Sequence, residues 1–126
     1  MMPESHKINY IEMPSQDLAQ TKTFFSSVFN WQFVDYGDSY TALEEAGIDG
    51  GFYLADTCMR ADAGSALVVL YSNQLEETRD AVRAAGGQII KPIFDFPGGR
   101  RFHFTCPSGN EFAVWSEPAT GAGHVS

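Results

Sequence analysis

The side chains best suited to chemistry gather near the end of the chain, in "RRFHFTC" (100–106) and "NEFAVWSE" (110–117). His103 carries an imidazole that can take up a proton near neutral pH, and a carboxylate from Glu12 or Glu111 close to it would orient the ring for that work. Each residue also has a plainer reading. His103 can be a hydrogen-bonded strand residue, Glu111 a solvated side chain beside a turn, and Arg100 and Arg101 partners of surface acids. Cys106 precedes Pro107 and reads as a turn residue, because a nucleophilic thiol needs a neighbour that lowers its pKa and the sequence supplies none. The glycines of "FPGGRR" close a hairpin rather than cradle a phosphate, since no helix N-terminus follows them.

These residues need strands to hold them. "RRFHFTC" and "NEFAVWSE" alternate apolar and polar positions, and "CPSGN" between them is turn chemistry. Before them, "QIIKPIFDF" (88–96) and "ALVVLYS" (66–72) are strands flanking a helix whose buried face is Leu75, Val82 and Ala85. Asn73 and Glu76 are expected to open that helix as a capping box, and Gly86 and Gly87 to stop it. The first half has the same order. "KINYIEM" (7–13), bounded by Pro14, is a strand; Asp17 caps a helix with Gln20 three residues on, and Leu18, Phe24, Phe25, Val28 and Phe29 share one face. "WQFVDYG" (31–37), "SYTALEE" (39–45) and "GGFYLAD" (50–56) complete the first βαβββ unit. An offset of 57 carries Ile8, Leu18 and Phe33 onto Ser65, Leu75 and Ile90, and an offset of 60 carries Phe52 onto Phe112.

Bulk properties narrow the partners. The chain has 126 residues, 44% of them hydrophobic, enough for one compact domain. With 16 acidic and 8 basic side chains its net charge is -8, which repels nucleic acid and anionic membranes. No apolar stretch approaches the roughly 20 residues of a membrane helix, and "MMPESHK" has no signal-peptide core, so the expected location is the cytoplasm. Cys58 and Cys106 are expected as free thiols.

The doubled βαβββ order, with "SQDLAQTKTFFSSVFNWQF" and "FHFTCPSGNEFAVWSE", resembles the vicinal oxygen chelate superfamily of glyoxalase I, bleomycin-resistance proteins and extradiol dioxygenases. The resemblance runs from Ile8 to Glu117. It implies an α+β fold in which two modules, 6–56 and 65–117, form one domain over 1–118. Their mixed sheets would curl around a cavity with the helices outside, and 119–126 would be a loose tail. It also implies a homodimer. Metal enzymes of this family place a ligand on the first and last strand of each module, positions that fall here on Tyr10, Tyr53, Leu67 and Ala113. None of these offers the imidazole, carboxylate or thiolate a divalent metal takes, so no metal or other cofactor is expected.

Strand alternation then sorts the rest. With Ala113 facing the cavity, Glu111 and Trp115 face it too, as do Tyr10, Glu12, Tyr53, Leu67, Val69, Tyr71, Arg101, His103 and Thr105. Phe102, Phe104, Phe112 and Val114 pack under the helices. Such a lining suits a small, partly aromatic organic ligand, bound without a metal. Its aromatics can equally be plain sheet core. The alternatives are a lactoylglutathione lyase-like lyase or isomerase, using His103 as acid or base or a displaced divalent metal site of Glu12, His103 and Glu111, and a dimerising structural module without a ligand.

Overall fold

The structure, a computed structural model, describes residues 2–119. The expected loose tail therefore lies, from residue 120 onward, outside the described residues. The chain divides into two compact units, Met1–Cys58 and Met59–Ser126.

Unit 1 runs β1 (Ile11–Ser15), α1 (Leu18–Phe29), β2 (Gln32–Asp35), β3 (Tyr40–Glu44), β4 (Gly50–Leu54), with sheet order β1-β4-β3-β2. Strands β1 and β4 are parallel and the other pairs antiparallel. The helix begins where the sequence places it: the Asp17 side chain accepts the N–H of Gln20 at 3.0 Å. It stops at Asn30, which takes the left-handed conformation (φ 61) that asparagine tolerates. Its buried face stacks Phe25 between Trp31, 4.6 Å away, and Phe52 of β4, 5.7 Å away. Val28 and Phe29 are half-buried. Strand β1 starts later than expected, at Ile11, and continues through Pro14 to Ser15. It is an edge strand, where proline's missing N–H costs no ladder bond on the open side.

Unit 2 runs through one 3-10 turn (Ala61–Ala63), β5 (Val68–Tyr71), α2 (Leu75–Ala84), β6 (Gln88–Phe96), β7 (Gly99–Thr105) and β8 (Glu111–Ser116), with sheet order β5-β8-β7-β6. Strand β6 has the bounds expected of it. The opening of α2 does not. Its N-cap is Gln74, with no side-chain cap; the N–H of Gln74 donates to Ser72 Oγ at 3.0 Å. Glu76 is drawn away by Arg100, at 2.6 Å and 3.2 Å, and this ion pair holds its carboxyl down to about 2. Ala85 is the half-buried C-cap, one residue past the helix.

The two units repeat at the level of single hydrogen bonds. Ser15 Oγ meets Thr21 Oγ1 at 2.8 Å and receives the N–H of Asp17; Ser72 Oγ meets Thr78 Oγ1 at 2.7 Å and receives the N–H of Gln74. Every member is displaced by the same 57 residues. The final strands are displaced differently. Ile11 pairs with Gly50, and its counterpart Val68 pairs with Phe112, so β4 maps onto β8 at 62 rather than 60. The counterpart of Ala113 is thus Gly51, and that of Tyr53 is Trp115. A shift of two preserves the face each side chain points to.

Gly99 lets β7 begin against β8: a Cβ there would overlap the carbonyl oxygen of Ser116. Gly99→Ala is expected to lose about 2 kcal/mol of stability in urea unfolding, the usual cost of forcing an extra carbon into a packed contact. A loss below about 0.5 kcal/mol would show that the strands separate freely there.

Candidate functional site

Strand β8 is launched by the turn at 106–110. Cys106 N–H donates to the Asn110 carbonyl at 2.9 Å, Gly109 N–H to the Cys106 carbonyl at 2.8 Å, and Gly109 supplies the positive φ of 99 that the reversal needs. Cys106 is a free, buried thiol 3.3 Å from Ser108 Oγ, and Cys58 is also free. The turn sets the antiparallel register in which Thr105, His103 and Arg101 stand opposite Glu111, Ala113 and Trp115. On the other side, β5 places Val69 beside Ala113 and Tyr71 beside Trp115. Two cross-strand rows result, Val69–Ala113–His103 and Tyr71–Trp115–Arg101. On the opposite face Phe102, Phe104, Phe112 and Val114 are fully buried.

His103 and Glu111 form a buried pair, 2% and 4% exposed, with Nδ1 3.0 Å from Oε2. The other carboxylate oxygen receives the N–H of Ala61 at 2.9 Å, and Arg60 Nε stands 3.5 Å from it as a looser ion pair. The segment that delivers these groups is fastened to the start of β8: Met59 N–H donates to Asn110 Oδ1 at 2.7 Å, and Glu111 N–H to the Met59 carbonyl at 2.8 Å. Burial alone would raise the Glu111 carboxyl, but the hydrogen bonds from His103 and Ala61 outweigh it and hold the group below the usual carboxylate range. An ionised carboxylate only accepts, so Nδ1 carries the hydrogen. In the neutral ring Nε2 then has the lone pair. That atom is buried and has no hydrogen-bond partner among the described residues. The arrangement is that of a base aligned by a carboxylate.

One row along lies a groove of 330 Å³ lined by Val69, Phe96, Gly98, Arg101 and Trp115. Tyr71 packs edge-on to Trp115, with ring centres 5.1 Å apart, and its hydroxyl donates to Glu117 at 2.5 and 2.6 Å. That bond raises the Tyr71 phenol and lowers the Glu117 carboxyl. The Arg101 guanidinium lies over two rings, 5.4 Å from the centre of Phe94 and 5.2 Å from that of Phe96.

In unit 1 the expected residues form their own cluster. The Tyr10 and Tyr40 hydroxyls are 2.5 Å apart, and Tyr40 donates to Glu12 Oε2 at 3.2 Å. Partial burial, then these two neighbours, raise the Tyr40 phenol. Tyr53 stands opposite Tyr40 in the ladder and is exposed. The Tyr40 hydroxyl rests on Gly51, where a Cβ would overlap it.

The structure thus joins His103 to Glu111, and Arg101, Trp115 and Val69 in one groove. Glu111 is buried, not solvated, and Arg101, unlike Arg100, has no acidic partner among the described residues. Leu67 is half-buried just before β5, as exposed Tyr10 is just before β1. Ala113 is fully buried and does not line the groove. Sequence reasoning did not single out Tyr40, Arg60, Ala61, Phe94, Phe96 or Gly98. The turn at Pro97–Gly98 could have revealed the phenylalanines, since it places Phe94 opposite Arg101; no local signal marks Arg60 or Ala61.

Tyr10, Gly51, Leu67 and Ala113, with Tyr53, offer no donor set fit for a divalent metal, and no group of three or more His, Cys, Asp or Glu side chains among the described residues could share one. No helix among those residues is long and apolar enough to cross a membrane.

Glu111→Gln is expected to cost about 2 kcal/mol at pH 7, by leaving a buried donor poorly paired. Because the folded carboxyl lies below its ordinary 4.5, wild-type stability from this group is present above pH 4.5 and lost as pH falls through the depressed value. The variant's stability should fall less steeply over that acid range in urea titrations. An unchanged acid limb would contradict the pairing.

Solved structures share the fold. A glyoxalase/bleomycin resistance protein/dioxygenase family enzyme from Burkholderia phytofirmans PsJN aligns with a TM-score of 0.72 at 14% identity, over 86% of this chain and 97% of that one. A mutant of the genomically encoded fosfomycin resistance protein FosX from Listeria monocytogenes, complexed with Mn(II) and 1S,2S-dihydroxypropylphosphonic acid, aligns with a TM-score of 0.75 at 17% identity, over 90% and 92%. TioX from Micromonospora sp. ML1 aligns with a TM-score of 0.66 at 15% identity, over 88% and 98%. No curated protein matches the sequence. The family model of the glyoxalase/bleomycin resistance protein/dioxygenase superfamily matches residues 7–114, and the chain belongs to that superfamily.

Proposed function

We propose that this chain binds a small, partly aromatic organic molecule on the face of the unit 2 sheet that carries Arg101 and Trp115, without a metal ion. The observation that carries the reading is the groove of 330 Å³ lined by Val69, Phe96, Gly98, Arg101 and Trp115, a volume at the lower end of the range typical of small-molecule sites. Aromatic walls supply area and one cation supplies orientation. The FosX structure, complexed with Mn(II) and 1S,2S-dihydroxypropylphosphonic acid, supports by analogy of fold a small organic ligand, but neither its aromatic character nor the absence of a metal. A homodimer in the cytoplasm belongs to the same reading.

A second reading rests on a different observation, the aligned His103–Glu111 pair with its unpartnered Nε2. It makes the chain a proton-transferring lyase or isomerase in which His103 is the base. Turnover of the methylglyoxal–glutathione adduct that survives exhaustive chelation and disappears in His103→Gln would favour it.

The binding reading is tested by thermal unfolding against a panel of aromatic metabolites in the presence of a chelator. A ligand held only by the folded state at 100 times its Kd adds about 2.7 kcal/mol, so the best compound should raise the Tm by several degrees. A rise that vanishes on chelation would overturn the metal-free reading. No rise with any compound, in a tight dimer, would favour a subunit surface instead.

A further inference from the structure

Acids outnumber bases 16 to 8 in this chain, so an arginine has no shortage of carboxylates. Four of the five find one: Arg60 with Glu111, Arg79 and Arg83 with Asp80, and Arg100 with Glu76. Arg101 has none among the described residues. Strand alternation explains how the acids miss it. Asp95 stands opposite Arg100 in the β6–β7 ladder, on the face turned away from Arg101, and Glu76 is bound to Arg100 as well. On its own face Arg101 meets Phe94 and Phe96 of β6 and, across the β7–β8 ladder, Trp115.

The guanidinium is half-buried, and its Nε, like those of Arg60 and Arg100, lies out of water with no hydrogen-bond partner among the described residues. What sets Arg101 apart is that it has no carboxylate among them and faces the groove. Cation–π contact with two rings does not saturate its N–H donors, because a ring face accepts such bonds only weakly. A buried charged donor left unmade is costly. The remaining lining of the groove, Trp115, Val69, Phe96 and the backbone of Gly98, is apolar, so Arg101 is its one charged side chain.

We propose that Arg101 is an anion receptor and that the groove takes a planar aromatic carboxylate, its oxygens paired with the guanidinium and its ring packed along Trp115. This rests on the reading of the groove as a ligand site and adds the charge of the ligand. A carboxylate matches the guanidinium fork with two parallel hydrogen bonds, which a neutral amide cannot reproduce.

The test is titration calorimetry with two probes of equal shape, 1-naphthoate and 1-naphthamide, on the full chain and on Arg101→Gln and Arg101→Lys. The wild type is expected to bind naphthoate at least tenfold more tightly than naphthamide. Arg101→Gln should abolish that preference, and Arg101→Lys should keep only part of it because lysine lacks the fork. Equal affinity of the wild type for both probes would overturn the anion receptor while leaving the groove a binding site. If neither probe bound the wild type at millimolar concentration, the groove reading and this inference would fall together. The wild-type comparison decides even where a variant fails to fold.

Discussion

The register of β7 against β8 is the constraint on which the rest of unit 2 depends. It is set by the turn at 106–110, and because side chains alternate with period two, it assigns every residue of both strands to a face. One face receives Phe102, Phe104, Phe112 and Val114, all fully buried. The other receives Arg101, His103, Thr105, Glu111, Ala113 and Trp115. A slip of one residue would put the phenylalanines into the groove and the buried acid–base pair under α2. The hydrophobic demand of the phenylalanines therefore also fixes the chemistry of the opposite face.

On that face, two neighbouring positions solve the problem of a buried polar group in opposite ways. His103 is satisfied on one side by a carboxylate that is itself held by a backbone N–H, a chain of bonds strong enough to keep Glu111 ionised despite burial. Arg101, two residues earlier, lies over two aromatic rings and has no acidic partner among the described residues. The first arrangement leaves Nε2 without a hydrogen-bond partner among the described residues; the second leaves a cation beside an apolar groove. Both are polar capacity that no hydrogen bond among the described residues uses.

Much of this was legible in the sequence where the determining interactions are local. Asp17, the apolar spacing of α1 and the bounds of β6 were readable, as was the sorting of Arg101, His103 and Thr105 from Phe102 and Phe104, because helix and strand periods need only near neighbours. The 57-residue repeat was readable in its first strand and helix, through pairs such as Leu18 and Leu75, while the matching serines Ser15 and Ser72 emerge only from the hydrogen bonds. What escaped depends on distant partners. Glu76 could have capped α2, but an arginine 24 residues away took it. The support of Glu111 by Arg60 and Ala61 comes from a loop about 50 residues upstream whose composition is only polar. The last-strand offset failed because β6 and β7 are longer than β2 and β3, which carries the last strand to an offset of 62, and only the pairing with β5 and β1 reveals it.

The central claim is that the face of unit 2 carrying Arg101 and Trp115 holds an organic anion. The most direct measurement is a set of intermolecular nuclear Overhauser effects between 1-naphthoate and the isotope-labelled chain. The account predicts contacts from the naphthyl protons to Trp115, Phe96 and Val69, with the Arg101 side-chain N–H resonances shifting on binding. Contacts confined to Tyr10, Tyr40 and Tyr53 of unit 1, or a bound ligand that leaves Trp115 and Arg101 unperturbed, would contradict it.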